Sequence, residues 1–251
     1  MDSWARRRKI IYAVIVLILL VLVVGVPSFL IFYKAPTCFD GKQNGSEAGV
    51  DCGGRCEKLC QSEFLSPSVT WTRMEKVSSG IYNVAAYIVN PNNLGEAMGV
   101  PFKVSLYDSF GKAIASKSGI VDIPAHRNTL AYSALIDTGK VNPTKASFEF
   151  SQSPLWVKAT DKLKAINVIN KDYKEQKDSS ALEVNLYNDS LYDIRNLTVF
   201  AILYDRLGNT IGFSKTVVDE IGAKSSAIAP FTWNTNRNGQ VVSIEVLYVA
   251  E

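Results

Sequence analysis

The chain has 251 residues, 47% of them hydrophobic and 20% charged, with a formal net charge of +3, a single histidine and four cysteines. With Asp2 and the cations Arg6, Arg7, Arg8, Lys9 and Lys34 set aside, the rest carries 22 basic against 23 acidic residues. That balance excludes the clustered positive field that nucleic-acid binding requires.

The first element is apolar. Ile10 to Tyr33 holds 24 positions without a charge, and 14 of the 17 residues from Ile10 to Val26 are Ile, Val or Leu. Such a run favours the bilayer by about 6 kcal/mol on insertion scales and is long enough to cross it. The greasy stretch outlasts the core of a cleaved leader and ends in no small-x-small site, so an uncleaved transmembrane helix over 10–33 is expected. The four cations of the 1–9 tail place the amino end in the cytoplasm and the remainder outside, a single-pass cell-membrane topology.

Next comes a Cys-rich juxtamembrane segment, 36–61. Cys38, Cys52, Cys56 and Cys60 are even in number and lie on the oxidising side, which favours two disulfides of undetermined connectivity over a zinc knuckle. Asp40, Asn44, Glu47 and Asp51 offer side-chain oxygens every three or four residues between glycines. Two readings of these oxygens stand: calcium ligands, or turn formers beside their glycines. No other cofactor is signalled. The run Cys-x-Asp-Gly-x-x-Asn-Gly-x-Glu-x-Gly-x-Asp-Cys-Gly-Gly-x-Cys resembles a cysteine motif of bacterial membrane-anchored surface proteins, which implies a place just outside the membrane.

Beyond Cys60 the chain repeats itself. Val84–Asn90 matches Leu182–Asn188 at an offset of 98, and Leu106-Tyr107-Asp108-Ser109-Phe110-Gly111 matches Leu203-Tyr204-Asp205-Arg206-Leu207-Gly208 at an offset of 97. Ile114 and Val121 pair with Ile211 and Val218 in the same register. Asp opens a type I turn and Gly three residues on takes positive φ, so each copy carries the same hairpin. Short alternating strands between turn signals predict a mainly β fold: two tandem immunoglobulin/fibronectin-like antiparallel β-sandwiches, 66–158 and 160–251, after one N-terminal transmembrane α-helix. With Leu-Tyr-Asp present twice, and Val104 and Ala201 at the place of the leading aromatic, the copies resemble the bacterial FxLYD domain and the late-embryogenesis-abundant type 14 fold. The resemblance implies an envelope-linked module without catalytic activity.

Aligned central strands share one apolar face but differ on the other: Lys103, Ser105 and Tyr107 in the first copy, Phe200, Ile202 and Tyr204 in the second. Phe200 and Ile202 are therefore expected at an interface, under the other sandwich, a neighbouring subunit or a ligand, unless an extra strand of their own domain covers them. No catalytic residue is signalled, because His126 sits in a predicted turn without a nucleophile or orienting acid nearby. The expectation is a membrane-tethered, non-enzymatic scaffold, adhesion or protein-interaction module. Its partners would be the bilayer through 10–33 and other envelope proteins. The alternatives are a calcium-stiffened stalk and an envelope hydrolase.

Overall fold

The computed structural model describes residues 2–159 and 165–250. It divides into two units, 1–56 and 57–251. The Cys-rich segment expected over 36–61 is thus cut at Cys56, because residues 57–65 are hydrogen-bonded into the first sandwich. The expected start of the second sandwich, 160–164, lies outside the described residues.

In the first unit, helix α1 (Asp2–Leu20) runs through one π-helical turn (Val21–Gly25) into α2 (Val26–Phe32). Helical structure starts before the apolar run because hydropathy marks where a bilayer would lie, whereas Ala, Arg and Lys propagate a helix well. Pro27 supplies no amide hydrogen and crowds the preceding turn, and the wider π turn just before it absorbs that defect. The span Arg6–Phe32, 27 residues with none buried, is long and apolar enough to cross a membrane or to serve as a signal sequence. After it, residues 36–56 form a loop closed by a disulfide from Cys38 to Cys56, with 5.6 Å between the Cα atoms.

Among the described residues, the second unit has one 3-10 turn (Gln61–Glu63) and otherwise strands and their connections, with the strands paired antiparallel. In the first copy β1 (Ser68–Ser78), β2 (Ile81–Val89) and β5 (Thr129–Asp137) pair in the order β1-β2-β5. The facing sheet is β4-β3-β6, from β3 (Gly95–Tyr107), β4 (Ala113–Ile123) and β6 (Lys145–Phe150), with short β7 (Val157–Lys158) on the start of β3. The second copy repeats this plan. β8 (Ile166–Glu175), β9 (Ser180–Asn188) and β12 (Ser226–Trp233) form one sheet. β10 (Ile194–Tyr204), β11 (Thr210–Ile221) and β13 (Ser243–Ala250) form the other.

Period-two alternation builds the two sandwich cores. Val84, Ala86 and Ile88 of β2 meet Phe102, Val104 and Leu106 of β3; in the second copy Leu182, Val184 and Leu186 meet Val199, Ala201 and Leu203. The two Asp-x-x-Gly hairpins are matched in detail. Asp108 Oδ1 accepts from Phe110 N and Lys112 N, both at 2.9 Å, and Asp205 Oδ1 accepts from Leu207 N and Asn209 N, both at 2.8 Å. Gly111 and Gly208 share φ of 77°.

Buried asparagines close the opposite end of each copy. Asn90 Nδ2 donates to the carbonyls of Gly95 and Pro124, and fully buried Asn188 Nδ2 donates to those of Tyr192, Ile221 and Gly222. Each side chain donates to carbonyls at strand ends and in the adjoining turns, and this is why a polar residue ends both apolar strands.

Candidate functional site

A third hydrophobic core joins the sandwiches. The outer face of β1-β2-β5 contributes Ala85, Tyr87 and Leu130, and the outer face of β11-β10-β13 contributes Phe200, Ile202, Phe213 and Val249. Trp71, Tyr132, Tyr204 and Leu247 pack around them. Phe200 is 5% exposed and Ile202 0%, so the first sandwich, rather than a strand of their own domain, covers these two residues. Burial of side chains this size stabilises by about 1.5 to 3 kcal/mol each. The β2 strand is apolar on both faces for that reason: one face fills its own core and the other fills the seam.

Charge and hydrogen bonding flank the apolar centre. Glu245 on β13 accepts from the hydroxyl of Tyr87 across the seam at 2.8 Å and from Tyr204 at 2.7 Å, while Asn128 Nδ2 donates to the Tyr87 oxygen at 2.8 Å. Burial, and then the neighbouring Glu245, push the Tyr87 hydroxyl up to about 12. Glu75 on β1 pairs with Arg237 of the second sandwich and also accepts from Phe213 N at 3.3 Å. Burial raises the Glu75 carboxyl above its ordinary value, and the Arg237 charge opposes that rise. Arg127 lies over the Tyr248 ring, 4.5 Å from its centroid.

The seam joins unlike faces, because sheet β1-β2-β5 of the first copy corresponds to β8-β9-β12 of the second. By strand register, Ala85, Tyr87 and Leu130 correspond to Glu183, Asn185 and Ile228. Likewise Phe200, Ile202, Phe213 and Leu247 correspond to Lys103, Ser105, Ser116 and Glu149. A head-to-tail interface between repeats propagates unless the outermost faces differ, and here they have become mostly polar.

In the other unit the structure brings Asp40, Asn44, Glu47 and Asp51 into one loop. Asp51 accepts from the backbone N–H of Asp40 at 3.0 Å and of Gly41 at 3.0 and 3.1 Å to its two oxygens. Glu47 accepts from Asn44 N at 3.1 Å, and Asp40 Oδ2 accepts from Asn44 Nδ2 at 2.9 Å. That hydrogen bond, followed by backbone donors, holds the Asp40 carboxyl below its ordinary value. Asn44 Oδ1 is buried and accepts no hydrogen bond. All four cysteines are in disulfides, Cys38 with Cys56, which removes their thiolates as ligands even though Glu47 lies beside that bridge.

His126 is exposed in a turn at φ of 58°. Glu75, Arg237 and Glu245 carry no distinguishing signal in the sequence. Their polarity looks like that of any surface strand or loop, and only the stacking of the sheets makes them neighbours. The apolar pair Phe200 and Ile202 was the one signal of the seam.

At the end of the first sandwich opposite the Phe110 hairpin lies a pocket of about 660 Å³, lined in part by Leu59, Leu65, Pro91 and Leu94. Residues 57–65 run along it. Leu59 N donates to Trp156 O at 3.0 Å, and Leu65 N donates to Asn92 Oδ1 at 2.7 Å. Trp156 is 1% exposed, packs on Phe64 and belongs to the first core rather than to the seam.

No family model and no curated protein matches the chain. Among solved structures, red sea bream transglutaminase is similar at 12% identity and a TM-score of 0.24, covering 74% of this chain and 29% of that one. A β-glucuronidase of glycoside hydrolase family 2 is similar at 8% identity and a TM-score of 0.26, covering 87% and 29%. Bacteroides uniformis β-glucuronidase is similar at 13% identity and a TM-score of 0.22, covering 69% and 26%. The chain spans under a third of the length of each.

Proposed function

We infer that the chain is a single-pass, membrane-anchored, non-enzymatic protein. Its two sandwiches are held outside the cell as one rigid body, a scaffold or adhesion module for other surface proteins. The observation that carries this reading is the third core. A seam built from Ala85, Tyr87, Leu130, Phe200, Ile202 and Phe213 turns two small domains into one stiff block, which a tethered presenter needs and a flexible linker would not provide. The cation-flanked helix supports an amino terminus in the cytoplasm, and the oxidised cysteines support an extracytoplasmic body. Protease added to sealed cells is expected to degrade residues 57–251 and spare the amino-terminal tail; protection of the body would overturn the topology. Crosslinking on intact cells is expected to capture another envelope protein, and turnover of a surface polysaccharide by the purified protein would favour a hydrolase instead.

A second reading adds calcium to the loop that holds Asp40, Glu47 and Asp51, because Asn44 Oδ1 there is buried without a hydrogen-bond partner. Calcium is then expected to raise the loop's resistance to protease. If the resistance is unchanged, Asp40, Glu47 and Asp51 serve only as turn acceptors.

A further inference from the structure

A smaller pocket, of about 100 Å³, opens beside the apolar seam, where β4 and β5 of the first sandwich meet β10, β11 and β13 of the second. Leu130, Phe200 and Val249 make part of its lining apolar. The polar part is shared between the sandwiches, with Asp122 and Thr129 from the first and Thr198 and Lys215 from the second.

Strand register makes the lysine unusual. Lys215 pairs with Phe200 and lies between Phe213 and Val217 in the same alternation, so it occupies the face of β11 that fills the seam. Among the described residues its ammonium forms no ion pair and no hydrogen bond. Asp122 uses one oxygen: Oδ1 accepts from Gly99 N at 2.6 Å, and Oδ2 has no partner among the described residues. Thr129 is 1% exposed, and its hydroxyl is buried without a hydrogen-bond partner. Two opposite charges, one from each sandwich, thus line one small pocket without pairing with each other.

We propose that this pocket binds a small zwitterion, an amino acid no larger than alanine, whose carboxylate accepts from the Lys215 ammonium and whose own ammonium donates to the free oxygen of Asp122. A simple anion would face the repulsion of Asp122 and a simple cation that of Lys215, whereas a ligand carrying both charges matches both walls. Charge-assisted hydrogen bonds at its two ends are the strong kind. The volume sets the size, since it equals about three waters at roughly 30 Å³ each, the space of glycine or alanine. A ligand seated against Thr129 also supplies the partner that its hydroxyl lacks. Because the ligand touches both sandwiches, its binding strengthens the seam. The site lies wholly within residues 57–251 and does not depend on the membrane-anchor reading.

The test titrates the full chain in detergent micelles with L-alanine, followed by saturation-transfer NMR and by melting temperature. L-Alanine is expected to bind saturably and to raise the melting temperature. Propionate and propylamine, which each keep one of its two charges, are expected to bind at least tenfold more weakly, and L-tryptophan is expected not to compete. Lys215→Met and Asp122→Asn are each expected to weaken L-alanine binding at least tenfold. Both variants should stay folded, because Lys215 is exposed and asparagine keeps the Oδ1 acceptor for Gly99 N; hydrogen exchange over 118–132 and 197–217 reports that.

Failure of L-alanine and glycine to bind overturns the proposal and leaves the pocket to water. Propionate that binds as tightly as L-alanine, with Asp122→Asn without effect, overturns it in favour of an anion site. Propylamine that does so, with Lys215→Met without effect, overturns it in favour of a cation site. Competition by L-tryptophan, or L-alanine binding that survives both substitutions, places the ligand elsewhere and overturns it as well.

Discussion

Glu75 of the first sandwich and Arg237 of the second form an ion pair across the seam, their side chains 15% and 16% exposed. The pair is partnered on both sides of a domain boundary, so its loss is felt by the whole block. Arg237→Ala leaves a buried carboxylate without its counter-charge and is expected to destabilise the protein by about 3 kcal/mol in urea unfolding. Replacing both partners with Met is expected to restore most of that loss, because two matched apolar groups carry no desolvation penalty.

Phe200 and Ile202 contribute to the seam and to no other core. Phe200→Ser with Ile202→Ser is therefore expected to leave both sandwiches folded and to uncouple them. Calorimetry should then show two transitions in place of one, with the second sandwich's own core intact.

Tyr87 provides a titratable reporter of the seam. Its folded value is raised to about 12 by burial and by Glu245. The stability it contributes is complete below the unfolded value near 10 and is lost as pH rises through the folded one. Tyr87→Phe is expected to flatten the loss of melting temperature between about pH 10 and 12. Glu75 also has a raised folded value, so its contribution is greatest below the ordinary carboxylate range and fades as pH rises through the folded value. Glu75→Gln is expected to remove that acid-side component from the pH dependence of melting.

Asn188 is fully buried and donates to the carbonyls of Tyr192, Ile221 and Gly222. Asn188→Ala is expected to cost about 2 to 3 kcal/mol, since those carbonyls would remain dry and unpaired. The loss should appear as faster hydrogen exchange in 189–193 and 221–225.

Much of this protein is local and therefore legible in one dimension. Hydropathy over 10–32 specifies an unburied apolar helix, because that property belongs to the side chains themselves. Period-two alternation together with Asp-x-x-Gly specifies the strands and both hairpins, because the turn chemistry is contained in Asp108 to Lys112 and in Asp205 to Asn209. The repeat offsets reveal two copies of one sandwich, and the second apolar face at Phe200 and Ile202 announces that something covers it. What covers it was decided only by tertiary packing. A strand with two apolar faces has the same sequence whether its cover is an added strand, a ligand or a neighbouring domain. The choice depends on the combined shape of Ala85, Tyr87 and Leu130, at least 70 residues away along the chain. The meeting of Glu75 with Arg237 and the sharing of Glu245 by Tyr87 and Tyr204 are set by the pairing and stacking of sheets, not by spacing along the chain, and the choice of Cys56 as partner of Cys38 is set by the folding of the loop between them.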